Sequence, residues 1–255
     1  MHPVGRLPAD RRAGGRSRAG AAAPPSGGAH TGGRQAAGTR RAAAAAPAGG
    51  ARRRPARGGR PSPRLTLAAS PLALTEDLAV RLARPPRGEL TIRATSRDDV
   101  AAVVASGEAD LGLVDGIAAP SDPLRLPDVG PLSTIGVGEQ DLVVALQEGH
   151  PLAGRAGLRL ADLVDALWLQ TPLCPVERLR DIAGDGFRIG MTYTGDDLHT
   201  VLRLVAAGHG LTLLPAGAAS PVAVPLVAPR VVHRIELLHG TLAGHAERVA
   251  ENLRR

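Results

Sequence analysis

Gly107-Glu108-Ala109-Asp110-Leu111-Gly112-Leu113-Val114-Asp115-Gly116 is the stretch that decides the fold of this chain. Ahead of it, Asp98-Asp99 is expected to cap a short amphipathic helix whose apolar positions are Val100, Val103 and Val104. Gly107 stops that helix, since a residue without a Cβ takes the left-handed conformation at a helix end with least strain. Leu111, Leu113 and Val114 then begin a buried strand. Asp115-Gly116 is expected to turn the chain at the strand's carboxyl end. In an open α/β sheet, ligands collect at such strand ends.

Two further segments follow the same scheme. Glu148-Gly149-His150-Pro151-Leu152-Ala153 comes after the apolar strand Leu142 to Leu146. Ala206-Ala207-Gly208-His209-Gly210-Leu211-Thr212-Leu213-Leu214-Pro215 passes from a helix through a double-glycine turn into a strand. In this order and spacing the three segments resemble the effector-binding domain of LysR-type transcriptional regulators. A G-x-x-D-L-x-L strand, an H-P-L-A turn and a V-x-x-G-x-G-L-x-L-L-P helix-to-strand turn recur in that family. The likeness runs from about Arg64 to Asn252. It implies an α/β fold with two periplasmic-binding-protein-like lobes joined by two crossing strands. Lobe one is expected at about 64–138 with 239–255, and lobe two at about 139–238, with a small-molecule cleft between them. It also implies a homodimer.

The pattern along the chain agrees. Leu65 to Ser70 alternates as a strand, Leu74 to Ala83 reads as a helix with Thr75 a possible cap, and Pro85-Pro86 stops it. Glu89 to Ala94 is the next strand, Asp98 to Ser106 the next helix and Asp110 to Val114 the third strand, before a Pro-rich loop to Asp128. Strands alternating with helices imply a parallel sheet with right-handed crossovers. In the second half a short helix at 159–166 precedes the strand Trp168-Leu169-Gln170. A helix at 176–182, an extended run 187–193, a helix at 196–207 and a strand at 211–214 come next. Val231 to Leu238 is extended and Leu242 to Leu253 helical.

The formal charge of +7 divides unevenly. Residues 1–63 hold 13 Arg and one acid, a net of +12, whereas residues 64–255 are at −5. The first 63 residues are low-complexity Arg, Ala, Gly and Pro, and beyond Met1, Val4 and Leu7 they hold no large aliphatic side chain. Such a segment cannot bury enough surface to offset the entropy of ordering, so a disordered tail is expected. It departs from the LysR pattern, in which a winged helix-turn-helix and a linker helix come first. The tail is read either as a true extension or as the product of a displaced start or reading frame. Either way the chain is expected to lack sequence-specific DNA reading. Its nucleic-acid binding is expected to be at most non-specific and salt-sensitive, through the arginines.

The single cysteine, Cys174, excludes a disulfide within the chain and any multi-cysteine zinc site, and reads as a small half-buried residue. No apolar run reaches the length of a membrane span, and no signal peptide is recognisable, so the cytoplasm is the expected location.

Ligand chemistry is expected where strand ends meet helix starts, which present backbone N–H groups and short hydroxyls. The candidate residues are Ser70, Thr95, Ser96, Gln170, Thr171, Thr194 and Gly195. The effector cleft of the family is lined at the same places. Ser70, Thr95 and Thr194 are equally readable as helix caps. Arg93 and Arg97 flank the Thr95-Ser96 turn, either to meet a ligand carboxylate or as a solvated pair with Asp98 or Asp99. The expected ligand is a small polar or anionic metabolite.

Catalysis finds little support. No H-E-x-x-H or similar metal spacing occurs among the eight His residues, and His150 and His209 sit in turns. No cofactor fingerprint is present, since Gly184-Asp185-Gly186 is only a turn. The leading reading is therefore a non-enzymatic, small-molecule effector-sensing domain of a LysR-type regulator. The alternative is a solute-binding protein of a transport system, which shares the two-lobed architecture.

Overall fold

In the computed structural model, residues 64–83, 88–120, 122–218 and 222–255 are described. The tail expected at 1–63 and the Pro85-Pro86 stop lie outside them.

The described residues open with β1 (Arg64–Ala69), α1 (Glu76–Leu82), β2 (Glu89–Ala94), α2 (Arg97–Ala105) and β3 (Leu111–Ala118). The three strands lie parallel in the order β2-β1-β3, as the alternation of strands and helices predicts. All eight residues of β3 are buried, because helices cover both faces of this sheet. On one face Leu67, Leu111 and Leu113 pack with Leu78 of α1 and with Val249 and Leu253 of α5 (Gly244–Arg254). On the other, Val114 packs with Val100 and Val104 of α2. Gly112 permits that approach, since a Cβ there would lie 2.7 Å from Val100 Cγ1.

Asp115-Gly116 does not turn the chain. β3 continues to Ala118, because β10 (Val232–His239) runs antiparallel beside all eight of its residues. Backbone pairing, absent from the local pattern, overrides the Asp-Gly turn signal.

Beyond β3 comes β4 (Ser133–Ala145), of which the expected strand Leu142–Leu146 is only the second half. Its first part pairs antiparallel with β10, from His239↔Ser133 to Val232↔Asp141. From Leu142 onward it pairs instead with β8 (Thr212–Pro215) and β9 (Ala223–Ala228). These pairings extend the first sheet to β2-β1-β3-β10-β4-β9-β5, with β8 also on β4 and with β5 being Leu158–Arg159. β6 (Leu167–Gln170) and β7 (Arg188–Thr192) form a separate parallel pair. It is tied to the end of β8 by Leu169 N–H to Leu211 O and Leu211 N–H to Leu167 O, both 2.8 Å.

This second part has its own two-sided core. Trp168, Leu163, Leu179 of α3 (Val176–Ala183), Phe187 and Leu213 form one cluster. Val143, Leu169 and Leu214 with Val201 and Val205 of α4 (Leu198–Ala206) form the other. Trp168 and Phe187 meet edge to face with centroids 5.6 Å apart, and the indole N–H donates to Leu163 O at 3.0 Å. The helix expected at 159–166 is a 3-10 turn, Leu160–Leu163. With three residues per turn, Leu160 and Leu163 stack on one face and both are buried. β9 was not anticipated, and Pro225 at its middle disguises it as non-strand. Two α/β lobes joined through β4 and β10 are thus present, as the resemblance implies.

The double-glycine turn is fixed by backbone geometry. Gly208 has φ +83 and Gly210 φ +142, and a Cβ on Gly210 would lie 2.7 Å from the backbone nitrogen of Leu169. Gly107 also has positive φ, +76, but faces open space. Gly210→Ala should therefore cost about 3 kcal/mol or more in urea unfolding, and Gly107→Ala about 1 kcal/mol.

Candidate functional site

The connections β1–α1, β2–α2, β6–α3 and β7–α4 all leave a strand end for a helix start. Residues from each converge on one cavity of about 190 Å³, lined by Pro71, Ser96, Arg97, Asp115, Pro172, Leu173, Thr194, Gly195 and Asp196. A larger, open recess of about 530 Å³ shares Pro71 with it and reaches Thr75, Gln140, Leu198 and Gly217.

Of the residues expected at the site, Ser96, Thr194 and Gly195 line the smaller cavity. The other four lie one or two residues back along the chain. Ser70 is buried, and its hydroxyl donates to Asp115 Oδ1 at 2.5 Å and accepts from the Asp115 N–H at 3.0 Å. It caps no helix. Thr95 is half-buried, and its N–H donates to Ala69 O. Gln170 Oε1 accepts from Val176 N–H at 2.7 Å, which supplies α3 with the cap that Pro175 cannot give. Thr171 is fully buried, and its hydroxyl accepts from the N–H groups of Leu173 and Cys174. Gln170 and Thr171 thus shape the β6–α3 loop that brings Pro172 and Leu173 to the cavity.

The caps also differ from the sequence expectation, apart from Thr75, which caps α1 by accepting from Leu78 N–H. Ser96, rather than Asp98-Asp99 or Thr95, caps α2, accepting from Asp99 N–H while donating to Asp99 Oδ2 at 2.6 Å. Asp197, rather than Thr194, caps α4. Arg93 pairs with Glu108 at 3.0 Å, not with Asp98 or Asp99. Cys174 is fully buried rather than half-buried, and burial pushes its thiol pKa up.

Asp115 is the residue that sequence reasoning placed wrongly. It is 6% exposed, lies mid-strand, and borders the cavity. Its Oδ2 is 3.0 Å from Nε2 of buried His233. The signal was available: a carboxylate within a run of buried apolar residues needs partners. Asp196 and Arg97 complete the charged lining. Among the described residues no cluster of three or more His, Cys, Asp or Glu side chains is placed to hold a metal ion.

Residues 58–250 match the family model of the LysR substrate binding domain, and the chain belongs to that family. The DNA-binding transcriptional dual regulator OxyR of Escherichia coli (strain K12) is 32% identical over 133 residues, covering 46% of this chain and 42% of the relative. The chain therefore spans about two fifths of the length of the curated relatives it matches. Among solved structures, the oxidized form of OxyR aligns with a TM-score of 0.59 at 21% identity, over 76% of this chain and 95% of that one. The effector-binding domain of QuiR in complex with shikimate aligns with a TM-score of 0.61 at 14% identity, over 76% and 96%.

The α4 cap has a pH signature. The Thr200 hydroxyl, donating at 2.6 Å, and then the Thr200 N–H at 2.8 Å hold the Asp197 carboxyl below its usual range. A lowered folded-state value means that the stabilisation is complete above the unfolded carboxyl pKa of about 3.9 and is lost as pH falls through the folded value. Asp197→Ala should lower Tm at neutral pH. The gap from the parent should close on acidification, read from melting curves between pH 7 and pH 2.

Proposed function

We propose that this domain senses a small polar molecule held in the cavity between its lobes, as the effector-binding domain of a LysR-type transcriptional regulator. The observation that carries the reading is the convergence of four strand-to-helix connections, from both parts of the fold, on one small cavity with polar walls. The QuiR domain, of the same fold, was solved with shikimate, which supports a small-molecule occupant. Family membership favours a regulator over a transport protein, and a binding role over a catalytic one. Family membership also leads us to propose a cytoplasmic location.

We keep the expected lobe spans except for β10, assigned here to lobe one because it pairs along its whole length with β3. Lobe two then runs from about residue 139 to 231. A ligand touching both lobes stabilises one angle between them and so shifts the population of lobe orientations. We assign no DNA reading to residues 64–255, and leave the Arg-rich stretch before them a non-specific role.

One activity named for a relative does not transfer readily. A relative from Escherichia coli is a hydrogen peroxide-inducible genes activator. Cys174 has no second cysteine in this chain to pair with, and its buried, raised-pKa thiol is a poor nucleophile. Small-molecule binding is the better reading.

Thermal-shift screening of small polar metabolites, followed by calorimetry, tests the site. Thr194→Val should weaken any cleft ligand by about tenfold, the worth of one hydrogen bond, and leave the melting temperature nearly unchanged. Hits indifferent to Thr194→Val would place binding elsewhere.

We also propose a homodimer. Edge strand β2 and helix α1 leave Ile92 and Val80 about half exposed, and β7 leaves Ile189 so. Paired across a two-fold axis, these edges cover each other's apolar residues. Light scattering should give twice the chain mass, and Val80→Arg should give monomer.

A further inference from the structure

The cavity walls carry three charged side chains, Arg97, Asp115 and Asp196, of which Arg97 and Asp196 have no ion-pair partner among the described residues. Arg97, at the start of α2, has no carboxylate within salt-bridge distance among the described residues. Among the described residues its one acceptor is Arg125 O, at 3.4 Å, and its buried Nε has no partner. Its guanidinium lies against Gly116, where a Cβ would come within 2.9 Å of Nη2. Asp196, half-buried on the β7–α4 connection, has no hydrogen bond or ion pair among the described residues. Asp115 is held in place by Ser70 and His233 and still borders the cavity. Beside them the exposed Thr194 has no partner among the described residues, whereas the Ser96 hydroxyl is occupied by Asp99.

Charges drawn out of water without counter-ions are costly, and a ligand that brings the opposite charges recovers that cost. A purely anionic ligand matches Arg97 but faces two carboxylates. A purely cationic one leaves Arg97 alone. A molecule with one of each satisfies both, and about 190 Å³ restricts it to a small one.

We propose that the effector is a small zwitterion of the amino-acid type, with its ammonium group directed to Asp115 and Asp196 and its carboxylate to Arg97 and the Thr194 hydroxyl. The proposal rests on the reading of this cavity as the effector site. Arg97 and Asp115 belong to the β1–β3 side and Asp196 to the β7–α4 side, so the zwitterion bridges the two sides through charge-assisted hydrogen bonds.

The test is calorimetry of the domain with each of the twenty common L-amino acids. The best binder is then compared with the same skeleton lacking the amine and lacking the carboxylate, which for leucine are isocaproate and isoamylamine. At least one amino acid should bind roughly tenfold or more tightly than either truncated form. Asp196→Asn should abolish the preference over the deaminated acid, and Asp115→Asn should do the same. Arg97→Gln should abolish the preference over the amine. Asp196 makes no contact that the fold needs, so its variant keeps the test valid if Asp115→Asn does not fold. A deaminated acid binding as tightly as its parent, or no amino acid binding at all, overturns the proposal. If a plain carboxylate from the metabolite screen then binds and is weakened by Thr194→Val, the effector-site reading stands and only the zwitterion is wrong.

Discussion

The molecule depends on one strand having two sets of partners. Up to Asp141, β4 is hydrogen-bonded to β10; from Leu142 it is bonded to β8 and β9. Leu142 and Val144 of one cluster of the second core, and Val143 of the other, come from the stretch of β4 beyond that change of partner. The local sequence is shaped for it. Ile235 pairs with Gly138 and Glu236 with Gly136, so Val137 is the extra residue of a bulge that adds twist to the crossing. A Cβ on Gly138 would lie 3.3 Å from Ile235 Cδ1, so a bulkier residue there would press on the partner strand. Arg234 then ties the crossing together. It bonds Glu139 on β4 at 2.6 Å, Glu236 on its own strand at 2.9 Å, and Pro120 O in the loop after β3. Glu236 also accepts from Leu124 N–H, so a buried carboxylate and a partly buried guanidinium compensate each other.

Around the cavity, most of the short polar side chains serve the protein first. Ser96 is used by α2, Gln170 by α3, Thr171 by its own loop and Ser70 by Asp115. This follows from what a strand-to-helix connection requires: the first N–H groups of a helix need acceptors, and the nearest hydroxyls and amides provide them. Rigidity at the rim is the result. The walls are held by groups that are themselves satisfied, whereas Arg97 and Asp196 on the lining have no ion-pair partner among the described residues.

The fold was legible where burial follows a local period. Leu65 and Leu67, Val100 and Val104, and Val201 and Val205 announce strand and helix without reference to anything distant. The first half of β4 was not, because Gly136, Gly138, Glu139 and Gln140 look like loop, and only pairing with β10 makes them strand. Asp115-Gly116 misled for the same reason, as a turn signal overruled by a neighbour more than a hundred residues away. The candidate site was legible only as far as its loops, which follow from chain direction; which side chain within each loop lines the cavity depends on which are consumed as caps. Sequence could not divide Thr194 from Asp197 or Thr95 from Ser96 on that count, since each is a plausible cap by type.

The placement of Asp115 joins the site to the crossing. It lies directly across from Ile235, and side chains alternate along β10, so His233 and Ile235 share the face that meets Asp115 while Arg234 and Glu236 take the opposite one. One strand therefore carries the group that holds the cavity carboxylate and, one residue on, the group that clamps β4. Ser70 and His233 each bond one oxygen of this buried carboxylate, which fixes the end of β1 and the run of β10 relative to β3. In the proposed complex a ligand charge beside Asp115 would act on those two bonds. β10, which carries both His233 and the Arg234 clamp on β4, would be the strand that receives that effect.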